Sequence, residues 1–518
     1  MAGTKTQGGL RAGRANGQEY HMIRKLLIAN RGEIALRVIR ACRELGVESV
    51  AVYSDADRRA VHVAAADAAQ PVGPAPAAAS YLSIPGLIEA ARRSGADAVH
   101  PGYGFLSERP ALAAACERAG LTFVGPPAAV IARLGSKIES RRMMEQAGVP
   151  IVPGETPPDQ SDAGVARAAA AVGLPVLVKA SAGGGGKGMR RVSDPSALVE
   201  AIQGARREAL AVVGDGTLYV ERLIDRPRHV EVQIVADHHG GLTHLFEREC
   251  SVQRRHQKVI EESPSPALTP ALRERLTAAA VRAAAAAGYR NAGTVEFLLD
   301  EQSRVGDEPS FYFLEMNTRL QVEHPVTEVV TGVDLVAAQI RLAAGERLPW
   351  TARDLSQRGH AIEARVYAED PARGFLPQAG TILLCREPAA PGVRVDSGVA
   401  DGSEVPVHYD ALLAKVIAGG ETREAARRRL VEALGRYLIL GVRTNIPFLI
   451  RVLEHPQFRA GELDTAFLDR ESDALAAAVE AEWPAPVRAA LAAYEADQAQ
   501  TVLASAADPW TRLDGWRG

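Results

Sequence analysis

The sequence of 518 residues has only four cysteines, and they lie far apart in the chain. Cys42, Cys116, Cys250 and Cys385 form no CxxC pair, which argues against a thiolate zinc site. Free thiols fit a reducing compartment, so the expected location is the cytoplasm. We expect all four cysteines to be buried apolar side chains.

A basic excess and a long apolar run are also missing. The 60 lysines and arginines against 63 aspartates and glutamates give a formal net charge of -3, so nothing indicates nucleic-acid binding. No apolar run is long enough to span a membrane, and no secretory signal with an apolar centre is present. The composition therefore predicts a globular chain with neither nucleic acid nor membrane as a partner. Its length predicts about three domains.

The domain boundaries follow from changes in composition and periodicity. Residues 1–21 are polar, Gly-rich and aperiodic, so we expect an expression leader or a disordered extension ahead of a natural start at Met22. The remaining regions are expected at 22–134, 135–344 and 345–470, with a helical tail or linker at 471–518. The predicted fold class is a mixture of α/β and α+β.

The region 22–134 predicts a parallel, Rossmann-like sheet. A short apolar strand, Lys25–Ala29, precedes a tight turn at Asn30–Glu33 and a helix that Gly46 is placed to end. Glu48–Tyr53 is predicted as a second strand, which completes a βαβ unit. No GxGxxG follows the first strand, so a dinucleotide ligand is disfavoured.

A run of four glycines, Gly183–Gly186, is the most informative local feature of the chain. Such a run cannot pack a core, and it costs much backbone entropy on folding. It follows an apolar strand, Val176–Val178, and is flanked by Lys179 and Lys187. Bare backbone amides between two cations suit a flap over a polyphosphate. Taken alone, the run could equally be a surface hairpin or a linker.

The middle and C-terminal regions predict further strands and helices. We expect an antiparallel pair at Arg228–Ala236 and Thr243–Glu249, an alanine-rich helix at Pro270–Ala287, strands at Gly293–Asp300 and Phe311–Asn317 joined by a polar hairpin loop, Glu301–Ser310, and a helix at Glu424–Leu434.

Two adjacent segments carry candidate chemistry. Glu296, Glu315 and Asn317 offer hard oxygen ligands on two strands, which suits magnesium beside phosphate, although polar residues on a solvated strand face give the same pattern. The alternation of Arg319, Gln321 and Glu323 offers a cation, an amide and a carboxylate along one edge. That set suits a small planar anion next to a base, or an exposed loop.

Two further basic features belong with them. Gln253–Lys258 packs three cations into six residues, and neighbouring glutamates argue against nucleic acid. Arg365 lies within an apolar strand, where an arginine is usually paired but can also stabilise a developing oxyanion.

Together these segments resemble the biotin carboxylases, the ATP-grasp components of biotin-dependent carboxylases. The resemblance covers about Met22 to Arg470, and its motifs are long and ordered. The segments that carry it are Ile28–Ala35, His100–Glu108, Gly183–Met189, Gln253–Lys258, Glu315–Pro325 and Arg358–Ala361.

The resemblance implies a fold of three parts: a Rossmann-like pre-ATP-grasp domain, an ATP-grasp domain with a mobile lid, and a C-terminal biotin carboxylase domain. It implies a role for each matching residue. ATP would be held by Lys137, Lys179, Gly184, Gly185, Gly186, Gly188, Met189, Glu221, Leu223, His229, Gln253, His256, Leu298 and Glu315. Magnesium or manganese would be held by Glu296, Glu315 and Asn317. Bicarbonate would be bound by Lys258, Arg319, Gln321, Val322 and the base Glu323, and biotin would contact Tyr103 and Arg365.

The resemblance also implies the reaction and its partners. ATP, bicarbonate and biotin would give ADP, phosphate and N-carboxybiotin by way of carboxyphosphate. No Ala-Met-Lys-Met biotin-attachment motif occurs, so biotin is expected on a separate carrier protein or on a missing C-terminal part. We further expect a homodimer or a larger assembly that includes a carboxyltransferase subunit. The tail from Asp508 to Arg517 resembles that of an acyl-CoA carboxylase α subunit.

Two alternatives stay open at this stage. One is another ATP-grasp ligase, such as a carboxylate–amine or carbamoyl-phosphate type, which the segment from Arg319 to Pro325 and Arg365 disfavour. The other is a non-catalytic nucleotide-binding scaffold. The final substrate of the carboxylase, whether acetyl-, propionyl- or methylcrotonyl-CoA or pyruvate, is not readable from this chain.

Overall fold

The structure is a computed structural model, and it describes residues 12–15, 18–181, 189–476 and 492–493. The chain divides into two units, Met1–Ala476 and Ala477–Gly518, and nearly all described residues belong to the first. Two short strands, Ala12–Ala15 and Gln18–His21, pair antiparallel within the segment expected to be a leader. Its origin as a leader stays a prediction.

The N-terminal sheet has five parallel strands, as expected from the βαβ pattern. Their spatial order is Ala68–Gly73, Glu48–Ser54, Lys25–Ile28, Ala98–His100 and Thr122–Phe123. The helices of this part are Gly32–Leu45, Val61–Ala65, Ile84–Ser94, Pro110–Arg118 and Ala128–Gly135. Leu26, Leu27 and Ile28 are fully buried, because a parallel sheet covered by helices on both faces buries consecutive apolar residues.

The first helix begins earlier than expected. The sequence predicts a tight turn at Asn30–Glu33, but the helix Gly32–Leu45 includes Gly32 and the buried Glu33 in its first turn. The prediction was wrong there because a glutamate near a helix N-terminus is favoured by the helix dipole and continues the helix. Gly46 ends the helix in the left-handed region, with φ 68°, as predicted.

A small antiparallel sheet follows. Its strands lie in the order Met189–Val192, Val176–Ala180, Leu218–Arg222 and Gly154–Glu155. The helices Asp162–Val172 and Leu198–Val213 pack on it, and Lys137–Gln146 precedes it in the chain. The strand predicted around Val176–Val178 is confirmed. The glycine run that joins two of these strands lies outside the described residues, as do Gly184, Gly185, Gly186 and Gly188 and the expected lid.

The large sheet has eight strands and carries most of the candidate site. Its spatial order is Glu308–Asn317, Asn291–Val305, Arg228–Ala236, Leu242–Arg254, Gln257–Ser263, His360–Tyr367, Leu412–Gly420 and Val393–Ser397. All neighbours are antiparallel. Strand Gln257–Ser263 pairs with His360–Tyr367, so one sheet runs across the boundary expected at residue 344.

One connection in this sheet differs from the prediction. The sequence predicts a long hairpin loop at Glu301–Ser310, yet the strands extend to Val305 and from Glu308, with Val305 paired to Glu308. The loop was predicted wrongly from its polar side chains. A two-stranded extension needs only backbone pairing and tolerates polar residues on both exposed faces. The turn itself is made at Gly306, with φ 66°.

The remaining helices cover the large sheet and complete the core. They are Pro270–Ala287, His324–Thr331, Leu335–Ala343, Arg423–Arg436, Ile446–Glu454, Pro456–Ala460, Phe467–Arg470 and Ser472–Ala476. Short strand pairs flank them: Glu369–Asp370 with Leu376–Pro377, Gly380–Thr381 with Glu404–Val405, and Leu384–Arg386 with Leu438–Leu440.

Cys42, Cys116 and Cys250 are buried, but Cys385 is only partly buried. Its burial was predicted wrongly because it lies on a short two-stranded sheet at the surface of the C-terminal part. Within the described ranges, no helix combines the length and apolarity that a membrane crossing requires.

Candidate active site

A cavity of about 940 Å³ opens between the N-terminal sheet, the small sheet and the large sheet. Every candidate site residue that the structure describes lines it. These residues are Tyr103, Lys137, Lys179, Met189, Glu221, Leu223, His229, Gln253, His256, Lys258, Glu296, Leu298, Glu315, Asn317, Arg319, Gln321, Val322, Glu323 and Arg365. The fold therefore brings together side chains that are more than 250 positions apart at the extremes.

One end of the cavity carries cations from the small sheet and the helix before it. Lys179 is buried, and its Nζ donates to Glu221 Oε2 at 2.7 Å, while Arg141 donates to the other oxygen at 2.6 Å. Lys137 begins a helix that Ser136 caps. Burial and the nearby Lys179 lower the pKa of Lys137. Two close ammonium groups in a partly dry site favour a ligand with several negative charges.

Two carboxylates face each other across adjacent strands of the large sheet. Glu296 and Glu315 are partners in the strand register. Burial raises the pKa of Glu315, and the charge of Glu296 raises it further. Burial would also raise the pKa of Glu296, but Lys258 and His229 outweigh it and hold that pKa well below its usual range. Asn317 donates to Glu296 Oε1 at 2.8 Å, and Glu315 lies opposite Glu296 in the strand register, so the three predicted metal ligands are neighbours.

Lys258 lies at the centre of a ring of three carboxylates. Its Nζ donates to Glu231 at 2.5 Å, to Glu296 at 2.9 Å and to Glu323 at 2.8 Å. Burial alone would lower the pKa of Lys258, but the three carboxylates raise it well above the usual value. The lysine is therefore charged at any physiological pH, and it links the predicted metal site to the predicted base.

Glu323 is fully buried between two cations. Lys258 donates to its Oε1, and Arg365 donates to its Oε2 at 2.9 Å. Burial would raise the pKa of Glu323, but Lys258 and Arg365 hold it well below the ordinary value. Arg365 is itself held by Glu261, which accepts from its Nε at 2.6 Å. The arrangement provides an ionised carboxylate beside two fixed positive charges.

Two residues predicted to bind bicarbonate, Arg319 and Gln321, form one hydrogen-bonded cluster with the predicted metal ligands. Arg319 donates to Gln321 Oε1 at 2.5 Å and to Asn317 Oδ1 at 3.2 Å. Gln321 in turn donates to Glu296 Oε1 at 2.9 Å. The predicted anion-binding residues are therefore connected by hydrogen bonds to the predicted metal ligands. His256, by contrast, is exposed at the cavity rim, in the turn of a hairpin.

Three further glutamates take part that the sequence argument did not assign: Glu33, Glu231 and Glu261. Glu231 holds Lys258, Glu261 holds Arg365, and Glu33 accepts from the Tyr103 hydroxyl. The signal available in the sequence was an acidic residue in a largely apolar element, as in the segment from Val230 to Ala236 for Glu231. Such a residue is expected to have a cationic partner.

The donor set fits a divalent cation that prefers oxygen. Two carboxylates and an amide oxygen on adjacent strands are the ligands that magnesium or manganese prefers. The facing pair Glu296 and Glu315 carries repulsion that a divalent cation would relieve, since the negative charge of Glu296 contributes to the raised pKa of Glu315. His229, Glu231 and Glu296 also offer ligand atoms within 4.8 Å of one another.

Comparison with known protein families gives three matches along the chain. Residues 22–131 match the biotin carboxylase N-terminal domain, and residues 363–470 match the biotin carboxylase C-terminal domain. Residues 136–351 match the ATP-binding domain of the carbamoyl-phosphate synthase L chain. The two flanking matches distinguish this chain from other ligases that share the central domain.

Curated relatives agree over most of the chain. The A component of the pyruvate carboxylase of Methanothermobacter thermautotrophicus is 51% identical over 452 residues, which are 86% of this chain and 90% of the relative. A biotin carboxylase of Halalkalibacterium halodurans is 49% identical over 86% of this chain and 97% of its own. The α subunit of mouse mitochondrial methylcrotonoyl-CoA carboxylase is 50% identical, and this chain spans only 62% of it.

Solved structures give the same result. The biotin carboxylase domain dimer of Hydrogenobacter thermophilus 2-oxoglutarate carboxylase, in complex with MgADP, ADP and bicarbonate, superposes with a TM-score of 0.84 at 44% identity, over 89% of this chain and all of that one. A biotin carboxylase from Campylobacter jejuni gives a TM-score of 0.83 at 42% identity, over 87% of this chain and 99% of that one. The chain therefore belongs to the biotin carboxylase family of ATP-grasp ligases.

Proposed function

We propose that this chain carboxylates biotin, consuming ATP and bicarbonate and releasing ADP, phosphate and N-carboxybiotin. The observation that carries the proposal is the position of Glu323. It is an ionised, buried carboxylate held between Lys258 and Arg365, in the same cavity as the cationic pair Lys137 and Lys179. A base in the same cavity as cations for an anion and for a polyphosphate is the arrangement that activation of bicarbonate by ATP requires.

The first step is phosphorylation of bicarbonate. Glu323 removes the proton of bicarbonate, which makes its oxygen a better nucleophile toward the terminal phosphorus of ATP. Lys258 and Arg319 bind the bicarbonate, while Lys137 and Lys179 hold the nucleotide phosphates. The products are ADP and carboxyphosphate, so the phosphoryl group moves from one oxygen to another with its charge balanced by the surrounding cations.

The second step transfers the carboxyl group. Carboxyphosphate breaks down to carbon dioxide and phosphate, and the released phosphate takes the N1 proton of biotin. The biotin nitrogen then attacks carbon dioxide. Arg365 stabilises the oxygen of deprotonated biotin, and the pairing with Glu261 fixes the direction of its guanidinium group. Tyr103 lines the same cavity and would contact biotin in this scheme.

Glu296, Glu315 and Asn317 would hold magnesium or manganese in this scheme. The metal, when bound, neutralises phosphate charge during the transfer. Gln321, which donates to Glu296, keeps the carboxylate oriented toward the cavity. Lys258 also donates to Glu296, so one ammonium group can contact both a metal ligand and bicarbonate.

The biological setting is proposed from the relatives. Biotin is carried by a separate carrier protein or domain, and a carboxyltransferase subunit uses the N-carboxybiotin. The chain acts within an acyl-CoA carboxylase or a pyruvate carboxylase, in the cytoplasm, as a homodimer or within a larger assembly. The dimer of the Hydrogenobacter domain supports this assembly. Residues 22–134, 135–344 and 345–470 serve as the three functional parts.

The proposal is tested by measuring ADP release with magnesium, with and without bicarbonate and free biotin. Release that requires bicarbonate and increases with biotin supports biotin carboxylation. ATP turnover that ignores both additions would favour another ATP-grasp ligase. Nucleotide binding without turnover, even when a biotinylated carrier is supplied, would favour a scaffold.

A further inference from the structure

Glu33 is a buried carboxylate in the wall of the cavity, and the mechanism above does not use it. It lies in the first turn of the helix Gly32–Leu45 and is 4% exposed. The Tyr103 hydroxyl donates to its Oε1. Its other oxygen, Oε2, is buried and has no hydrogen-bond partner among the described residues. A half-satisfied buried carboxylate is costly, which suggests that its contact with Tyr103 matters.

The backbone around Tyr103 is already fixed without Glu33. Asn30 Nδ2 donates to the carbonyl oxygens of Pro101, at 2.8 Å, and of Tyr103, at 2.7 Å. Gly102 between them has φ 62°, and a Cβ there would lie 2.7 Å from Asn30 Nδ2, so only glycine fits this close approach. The freedom left to Tyr103 is the direction of its ring, and the hydroxyl contact with Glu33 fixes that direction.

Lys415 connects this pair to the loop that carries the base. It is fully buried on the strand Leu412–Gly420, with its Nζ 3.4 Å from Glu33 Oε1 and 5.9 Å from the centre of the Tyr103 ring. The same Nζ donates to the carbonyl oxygen of Val322 at 2.8 Å. Val322 precedes Glu323, so one buried ammonium group contacts both the biotin end and the bicarbonate end of the cavity.

We infer that Glu33 is a positioning residue for biotin: it holds the Tyr103 ring in place. Lys415 connects that ring, through Val322, to the loop that carries Glu323. The inference rests on the proposed function, since it assigns the Tyr103 end of the cavity to biotin. Glu33 acts through Tyr103 and contacts neither substrate.

The charge of Glu33 is set by its burial and by groups on two other strands. Burial raises its pKa to about 7, with Asp396 raising it and Lys415 and Arg394 opposing the rise. Asp396 and Arg394 lie on the strand Val393–Ser397. Above pH 7 the ionised carboxylate makes a stronger, charge-assisted hydrogen bond with the Tyr103 hydroxyl. The KM for biotin in the wild type should therefore fall as the pH rises through about 7.

The test is a double-mutant cycle in which the KM for free biotin is measured at saturating MgATP and bicarbonate. Glu33→Gln and Tyr103→Phe should each raise this KM by about tenfold, the size of one hydrogen bond to a charged group. The double variant should be no worse than Tyr103→Phe alone, because both changes remove the same contact. Glu117→Gln, an exposed glutamate on the helix Pro110–Arg118, is the matched control and should match the wild type.

The pH dependence of the biotin KM gives a second measurement, which a purely structural role of Glu33 would leave unchanged. The change in biotin KM near pH 7 should disappear in Glu33→Gln and also in Tyr103→Phe, where Glu33 is intact but disconnected. Tyr103→Phe therefore tests the idea even if Glu33→Gln does not fold, as judged by circular dichroism.

The outcomes separate the inference from the proposed function. A wild-type chain with no turnover dependent on bicarbonate and biotin would reject both. Normal wild-type turnover with an unchanged biotin KM in Glu33→Gln, or with additive effects in the double variant, would reject the positioning role alone. Retention of the pH dependence in Tyr103→Phe would also reject it.

Discussion

Glu323 shows how neighbouring charges decide the state of a buried side chain. Full burial alone would keep its carboxyl group protonated, and a protonated group could not remove a proton from bicarbonate. Lys258 and Arg365 outweigh the burial and keep the pKa well below the usual value. The two cations therefore do more than bind anions, because they also maintain the base in its active form.

The first prediction concerns this base. Glu323→Gln should lower bicarbonate-dependent ADP release by about 10²- to 10⁴-fold, the usual contribution of a general base. The affinity for ADP, measured by calorimetry, should stay close to that of the wild type, because Lys137 and Lys179 are untouched. Glu117→Gln again serves as the control. Unchanged turnover in a folded Glu323→Gln variant would show that another group removes the proton.

The second prediction concerns the stability effect of Glu33. Its pKa is about 7 in the folded protein against 4.5 ordinarily, so folding favours the protonated form. The stabilisation is fully present below pH 4.5 and is lost as the pH rises to about 7. Relative to Glu33→Gln, which stays neutral, the wild type should lose about 3 kcal/mol over this interval, at about 1.4 kcal/mol per pKa unit.

Urea unfolding of both proteins at several pH values checks this effect. The informative quantity is the difference in unfolding free energy between wild type and variant, because the contributions of the other titrating groups cancel in it. A difference that does not change between pH 4.5 and 7 would contradict a raised pKa at Glu33.

Spacing within one segment is enough to predict some site residues, whereas the site residues that were missed have partners in distant segments. Arg319, Gln321 and Glu323 were found because their spacing along one segment already puts them on one edge. Glu231 was missed because its contact with Lys258 depends on strands Arg228–Ala236 and Gln257–Ser263 lying on either side of Leu242–Arg254. The alternation within a strand is readable from a sequence, but the order of strands in a sheet depends on contacts between distant segments.

Among the elements, the helix His324–Thr331 follows the base directly and anchors it to two other parts of the fold. Its residue Glu328 accepts from Arg37 at 2.8 Å and from Arg394 at 2.6 Å, with all three side chains largely buried. Arg37 lies on the helix Gly32–Leu45, and Arg394 on the strand Val393–Ser397. Glu323 lies in the turn directly before this helix, so the position of the base depends on the ion-pair network that holds the helix.

The third prediction removes this anchor. Glu328→Gln leaves Arg37 and Arg394 with one carboxylate each, Asp334 and Asp396. Because each arginine keeps one partner, the loss should be smaller than the about 3–5 kcal/mol that an uncompensated buried charge costs, but the urea midpoint should still fall.

An exposed ion pair in the same chain provides the control for that experiment. Glu432 pairs with Arg436 at 2.7 Å, and both side chains are more than 60% exposed. Glu432→Gln should change the unfolding free energy by less than about 1 kcal/mol. Equal effects of Glu328→Gln and Glu432→Gln would contradict the anchoring role.

At the element level, the accuracy of the sequence predictions follows the strength of the local signals. The helix Pro270–Ala287 was predicted with the bounds observed, because Thr269 caps it, Pro270 opens it and Gly288 ends it with φ 61°. The strands on either side of Gly306 carry no such signals, and their extension is set by pairing between backbones. Helix-capping residues can be identified from the sequence, whereas the length of a strand depends on the strand that pairs with it.

For the whole molecule, the cavity is a joint product of three sheets. Lys179 comes from the small sheet, Glu296 and Glu315 from the large sheet, and Tyr103 and Glu33 from the N-terminal part. A ligand with a polyphosphate and a bound divalent cation would contact the small and large sheets at once. Such a ligand binds only the folded arrangement, so it should stabilise the protein by mass action.

The fourth prediction follows from this bridging. MgADP at a hundredfold excess over its dissociation constant should stabilise the wild type by about 2.7 kcal/mol, seen as a higher melting temperature. Lys179→Met should lose most of this gain yet remain folded, because Arg141 still pairs with Glu221 at 2.6 Å. Lys25→Met, whose lysine pairs with Glu48 outside the cavity, should keep the full gain. Equal stabilisation of both variants by MgADP would place the nucleotide outside this cavity, since a ligand bound there must lose a charge contact when Lys179 is removed.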